Sequence, residues 1–240
     1  NGLWSEKGTV NWVDPALPEV QQYLIDLALE VAALGVDEIQ LDYVRFPTEG
    51  NLADAVFAFD PAVVAKDRII TDFVIEVERV LEPMGVLLSA DIFGVAAWGR
   101  EADRRTIGQH LPDLLPHLDA VSPMLYPSHF EDGFERIDRP VDYPYYFLLQ
   151  GCQRLQKLAT AHDVPVRPWI QSFDYRSRIL IRSMSPSSCT APKTAVRAVG
   201  CCGTRPVSTK SGLPRSKVLP TARRRQYRCN SAFLNRWVWI

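Results

Sequence analysis

Two aspartates carry the first chemical signal in this chain. Asp42 stands near the end of VDEIQLDYVRFP (Val36 to Pro47), and Asp91 closes VLLSAD. From Val36 to Tyr43 the residue types alternate, so that Glu38, Gln40 and Asp42 share one face of a strand and Ile39 and Leu41 the other. A phenol and a guanidinium follow at once, Tyr43 and Arg45, placed to hydrogen-bond or orient a carboxylate. If the two strands are neighbours, their backbones lie about 4.8 Å apart. Both carboxyls fall in the same phase of the alternation, and a pair of that kind can divide acid and base work between them. Asp91 precedes apolar Ile92 and Phe93, a setting that raises a carboxyl pKa and suits a general acid. Structural roles compete: an Asp42–Arg45 ion pair, a strand-end cap by Asp91, and a buried pair between Glu38 and Arg167.

Two further stretches offer binding groups. DAVSPMLY (Asp119 to Tyr126) reads as a strand that ends in Tyr126, whose hydroxyl can reach a substrate or a carboxylate. His129 follows on a loop. VPVRPWIQSF (Val164 to Phe173) reads as another strand, with Arg167, Trp169 and Gln171 in one phase. Trp169 is a candidate stacking face, with a core tryptophan as the competing reading, and Gln171 a candidate hydroxyl ligand. Asp174 is the reserve carboxyl if Asp91 does not serve. No metal site is expected, because His110, His117, His129 and His162 are dispersed without ligand spacing. No phosphate-binding glycine loop appears, so no nucleotide cofactor is expected, and no G-x-S-x-G marks a serine hydrolase.

The elements that must hold these groups alternate. Asp14-Pro15 opens a helix with Val20, Leu24, Leu27, Val31 and Leu34 on one face, and Gly35 stops it. Asp60-Pro61 opens a second helix that runs to about Glu82, before Pro83 and Gly85. A shorter helical stretch spans Arg105 to Leu115 and is broken by Pro112. Tyr145 to His162 is the last helix. The order αβαβαβαβ predicts an α/β fold with a parallel sheet and helix crossovers. One polar and one apolar face on each strand favour a barrel over an open sheet covered on both sides. About four βα units fit here, roughly half of a (β/α)8 TIM barrel of ~250 residues, with the first strands expected upstream. Trp4 and Trp12 belong to a loop or hairpin before the first helix.

Composition divides the chain in two. Residues 1–174 hold 13 Lys+Arg against 28 Asp+Glu, a net −15, whereas residues 175–240 hold 14 Lys+Arg and no acid. Four of the five cysteines (Cys189, Cys201, Cys202, Cys229) lie in the second part. Residues 1–174 are therefore read as the partial barrel, and 175–240 as a disordered or unnatural tail that follows a change of reading frame near Asp174, its cysteines serving neither metal nor disulfide. A nucleic-acid-binding role for the tail is disfavoured, since it lacks aromatic interleaving. No apolar run is long enough to span a membrane. Oligomeric state and compartment are left open. A leader lost upstream would send the protein to the cell envelope or outside the cell.

From Asn11 to Asp174 the chain resembles a bacterial family of glycoside hydrolases with a TIM-barrel, α-amylase-like domain. The stretches that carry the resemblance are NWVDPALPEVQQYLIDLALE, LGVDEIQLDYVRFPTEG, LSADIFG, DAVSPMLYPSHF and RPWIQSF. It implies a carbohydrate substrate, with Asp42 as nucleophile or electrostatic stabiliser. Glycoside hydrolysis needs two carboxyls ~5–5.5 Å apart for retention or ~6.5–9.5 Å for inversion, and Asp42 and Asp91 can meet either distance. The competing readings are a structural barrel or one that binds carbohydrate without turnover, and an inactive truncated product.

Overall fold

The computed structural model describes residues 4–6, 10–171, 173, 175–176 and 237–239. An antiparallel hairpin of β1 (Ser5–Glu6) and β2 (Val10–Asn11) comes first. Then follow α1 (Pro18–Ala33), β3 (Glu38–Leu41), α2 (Lys66–Leu81), β4 (Leu87–Phe93), α3 (Glu101–Ile107), α4 (Leu111–Leu114), β5 (Ala120–Met124) and α5 (Pro144–Ala159), with β6 (Trp237–Trp239) last. The order β5-β4-β3-β6 makes one sheet in which every neighbour is parallel. The α/β class and the helix crossovers are as the alternation predicts.

The apolar face of the sheet meets helices. Ile39, Leu41, Leu88, Ala90, Ile92 and Val121 are each no more than 3% exposed, and they join one core with Ile70, Val74, Val77 and Leu81. Those four recur on α2 at spacings of four, three and four, the stripe of a helix lying on a sheet. Each of the Ile, Leu and Val side chains contributes about 1.5–3 kcal/mol by leaving water. No helix among the described residues is long and apolar enough to cross a membrane. Cys152 is buried.

Helix starts differ from the expectation in a consistent way. Asp14 and Asp60 each close a turn ahead of the helix instead of capping it: Asp14 Oδ1 accepts from Ala16 N at 2.9 Å, and Asp60 Oδ1 from Ala62 N at 2.9 Å. An Asp-Pro pair satisfies a turn as readily as a cap, so α1 starts at Pro18 and α2 at Lys66. The other carboxylate oxygen of Asp14 takes the N–H of Ala58 at 2.6 Å, which ties the 48–59 loop to the base of α1. The third helix is two pieces. Gly108, at φ +77°, makes the break, and Pro112 sits in the first turn of α4, where its missing N–H costs nothing.

The fourth predicted strand is present only as two parallel bridges, Val121 to Val166 and Met124 to Trp169. Proline explains the interruption. Val121 N donates to Pro165 O (3.0 Å), Arg167 N to Val121 O (2.8 Å) and Trp169 N to Pro123 O (2.9 Å). The rung between them would need an N–H from Pro123, which has none. The predicted tail, from residue 177 on, lies outside the described residues except for β6. That strand pairs in parallel with β3, Ile39 opposite Val238.

Candidate active site

The other face of the sheet is polar and holds two layers. In the lower layer Glu38, 4% exposed, accepts from the Ser89 hydroxyl and from both terminal nitrogens of Arg167, one at 3.1 Å. Arg167 lies on the segment beside β5, so its side chain reaches β3 past β4 and β5. The expected Glu38–Arg167 pair is therefore formed.

The upper layer holds Asp91, 2% exposed. Its Oδ1 accepts from Trp169 Nε1 at 2.8 Å and from the Gln40 amide. No hydrogen bond from the described residues reaches Oδ2. Burial raises this carboxyl from 3.8 to about 7. The Trp169 and Gln40 donors oppose the rise, the charge on Asp42 adds to it, and the more distant Arg167 opposes it.

Asp42 stands one residue past the last β3–β4 pair, Leu41 with Ala90, and so opposite Asp91 in register. Its Oδ1 accepts from the Tyr43 N–H at 2.7 Å. Burial raises its pKa too, against that bond and the charge of Arg45. No direct Asp42–Arg45 ion pair forms among the described residues. Arg45 instead stacks, with its guanidinium carbon 5.0 Å from the Trp12 ring, 5.2 Å from Tyr43 and 5.0 Å from Phe93. Its Nη1 donates to Phe46 O at 2.9 Å, while its buried Nε has no partner among the described residues. Tyr43 has φ +53°, a left-handed conformation that a bulky residue rarely adopts. The strain sits at the carboxylate, a place where proteins retain it for function. The turn leaves Tyr43 63% exposed.

Tyr126 is half-buried beside both acids. Burial, then the charges of Asp91 and Asp42, push its phenol up to about 12, so it stays a hydrogen-bond donor. His129 lies in the turn Pro127–His129 with its ring 5.1 Å from Tyr126, 6.3 Å from Phe173 and 6.3 Å from Tyr175. Desolvation lowers its pKa and favours the neutral imidazole. Gln171 is 4% exposed, and both ends of its amide are engaged with backbone: it accepts from Ser128 N (3.2 Å) and donates to Phe173 O (3.2 Å) and Tyr175 O (3.1 Å). It holds loops together, in place of the free amide expected for a hydroxyl ligand. Asp174 lies outside the described residues.

A groove of about 1050 Å³ runs over this face. Asp42, Tyr43, Arg45 and His129 line it, whereas Asp91, Tyr126, Trp169 and Gln171 lie outside its lining. Sequence reasoning missed two supports. Gln40 was placed on the inner face without a role, yet it binds Asp91. Gln109, 3% exposed, accepts from Phe93 N (2.8 Å) and donates to Val44 O (3.2 Å) and Asp91 O (3.3 Å), tying together the backbone after both aspartates. Its position in a helix break gave no periodic signal. Ligand atoms of Asp67 on α2, His110 just before α4 and Asp113 on α4 come within 4.8 Å of one another, a grouping that histidine spacing did not reveal. His110 Nδ1 lies 2.7 Å from Asp113 Oδ2, and Arg104 lies 3.8 Å from Asp67.

Three solved structures show the range of similarity. The glycoside hydrolase domain of PgaB (BpsB) from Bordetella bronchiseptica is 12% identical with a TM-score of 0.47, over 70% of this chain and 54% of that one. The spore cortex-lytic enzyme SleL of Bacillus megaterium QM B1551 is 10% identical with a TM-score of 0.42, over 67% of this chain and 34% of that one. The Group IV chitinase of Ostrinia furnacalis in complex with allosamidin is 17% identical with a TM-score of 0.40, over 63% and 40%. The chain thus spans about a third to a half of the length of these proteins. No curated protein matches it. The family model described as "Putative glycosyl hydrolase domain" matches residues 1–190, and the chain belongs to that family.

Proposed function

We propose that this chain is part of a (β/α)-barrel glycoside hydrolase in which Asp91 is the general acid and Asp42 the second carboxylate. The observation that carries the reading is the pair itself. Two carboxyls stand opposite each other in register, Asp42 just past the end of β3 and Asp91 within β4, the latter raised to about 7 by burial and the former lining an open groove. Family membership supports the class of reaction. The reach of Arg167 past two strands to Glu38 supports a sheet curled toward a barrel, since a flat face holds those strands about 14 Å apart.

Each group has a stated task. Both donors to Asp91 land on Oδ1, so the proton of the neutral acid sits on Oδ2, from which it passes to the glycosidic oxygen as the bond breaks. Asp42 meets the anomeric carbon directly, or through a water that it deprotonates. Tyr126, kept neutral, donates to the sugar or to Asp42. Arg45 and Tyr43 shape the wall. Gln40 and Trp169 hold the acid in place.

The test is hydrolysis of a panel of α- and β-linked oligosaccharides by the full chain, beside Asp42→Asn and Asp91→Asn. Cleavage that both substitutions abolish, with binding retained, supports the reading. Cleavage that survives both within a few-fold sinks it, and binding without cleavage by the parent chain assigns a carbohydrate-binding module instead. The anomer of the first product separates retention from inversion.

A further inference from the structure

The ladder between β3 and β4 breaks off beside the carboxyl pair. Leu87 N donates to Asp37 O, which sets its phase. Leu87, Ser89, Asp91 and Phe93 turn their peptide N–H and C=O groups toward β3, and the residues between them turn theirs toward β5. Carried past the last pair, Leu41 with Ala90, the register puts Tyr43 opposite Ile92. The next two bonds of the ladder would run from Tyr43 N to Asp91 O and from Phe93 N to Tyr43 O. Neither forms. Tyr43, at φ +53°, gives its N–H to Asp42 Oδ1 at 2.7 Å, and its carbonyl accepts from Arg45 N at 2.7 Å.

The Gln109 side chain takes the vacated slot. Its Nε2 donates to Asp91 O at 3.3 Å and its Oε1 accepts from Phe93 N at 2.8 Å, so one side-chain amide supplies the donor and the acceptor of the missing peptide. The same Nε2 donates to Val44 O at 3.2 Å, which keeps the chain after β3 tied to β4 beyond the turn. At 3% exposure the amide lies away from bulk water, and the backbone groups it meets depend on it for their bonds. The backbone beside it is fitted closely to the chain after β3. Phe46 N donates to Ile107 O at 2.8 Å, and a Cβ on Gly108 would stand 3.0 Å from Phe46 Cδ2 and 3.1 Å from Lys66 O. On its other side Asp91 is held in the ladder, opposite Ser122 of β5. Asp42 has no such rung, and its placement depends on the turn.

We infer that Gln109 is a positioning residue for the carboxyl pair: standing in for the Tyr43 peptide, it releases the Tyr43 N–H to orient Asp42 and holds the backbone of Asp91 across from it. The inference rests on the glycosidase reading for the reaction served, whereas the positioning is measurable without turnover. Gln109→Met keeps the length of the side chain and removes all three bonds. Gln109→Glu keeps the acceptor for Phe93 N and, when ionised, loses both donations, and it carries the test if the Met chain does not fold. The gauge is the coupling between the two acids. Carbon-13 NMR follows the titration of the Asp91 carboxyl in the full chain, with and without Asp42→Asn. Of the charged groups that act on Asp91, Asp42 raises its pKa and Arg167, anchored on Glu38, lowers it. Asp42→Asn therefore moves the titration of the parent chain to lower pH. In the Gln109→Met and Gln109→Glu chains the same substitution moves it less than about half as far, because the Asp42 carboxylate is no longer held toward Asp91. On a glycan that the parent cleaves, both Gln109 variants lower kcat about 10²-fold and keep KM within about threefold.

Val77→Ala, which opens a cavity against α2 in the core, is the control for lost stability alone and leaves the coupling and kcat near the parent values. Coupling that survives undiminished in the Gln109 variants overturns the positioning role while hydrolysis stands. So does an equal loss in Val77→Ala, or a parent chain in which Asp42→Asn does not move the Asp91 titration. A parent chain that cleaves no glycan removes the glycosidase reading, and the coupling then decides the role of Gln109 by itself.

Discussion

Two buried carboxyls, Glu38 and Asp91, occupy adjacent layers of the same sheet face, yet their partners differ in kind. Glu38 meets a guanidinium and a hydroxyl. Asp91 meets an indole and an amide, both neutral, and a second carboxylate nearby. A cation opposite a buried acid fixes its charge and makes it a strut. Neutral donors give direction without fixing charge, so the acid can release and regain a proton near neutral pH. A role in structure or in chemistry is thus set by the partner, at nearly equal burial.

The largest expected effect breaks the upper layer. Asp91→Asn lowers kcat/KM on the matching glycan by about 10²–10⁴-fold, measured against retained binding of the same glycan. A loss under about threefold makes Asp91 a strut like Glu38 and erases the contrast. In the lower layer, Glu38→Gln removes the carboxylate that accepts from Arg167 and Ser89, and breaking this buried pair costs about 3–5 kcal/mol of stability. Chemical denaturation reads this loss, and the alkaline limb of the activity profile stays in place.

Proton linkage sharpens the comparison further. A carboxyl raised from 3.8 to about 7 is protonated in the fold while the unfolded chain has already lost its proton. Stability therefore falls as pH rises between those values, by up to ~4 kcal/mol. Asn does not titrate, so Asp91→Asn is more stable than the parent chain at pH 8, and the gain vanishes near pH 4. A gain that grows toward acid would mean Asp91 is ionised in the fold. The smallest effect concerns direction. Trp169→Phe removes a donor that favours the ionised form of Asp91, so the alkaline limb near pH 7 moves up by about one pH unit. A downward move would show that Trp169 holds the neutral acid instead.

The strands, their parallel order and the polar inner face were legible because period-two alternation survives in VDEIQLD and VLLSAD. The Glu38–Arg167 pair was legible from phase alone. Other features have no periodic signature. Whether Asp14 and Asp60 close turns or cap helices depends on where the next residues pack. The missing rung at Pro123 appears only once the 164–169 segment is docked beside β5. Gln109 works through contacts 16 and 65 residues away, which no local window contains. The groove itself could not be read, because its rings come from loops whose approach is set by the whole sheet.

Gln171 joins two loops that are far apart in sequence: one end of its amide holds the backbone at Ser128, the other that at Phe173 and Tyr175. The ring of His129 and those of Phe173 and Tyr175 therefore move as a unit. Insertions or grafts in one of these loops alone will leave a buried amide without its mate and misalign the other. Anyone re-engineering specificity at this end of the groove must exchange both segments together.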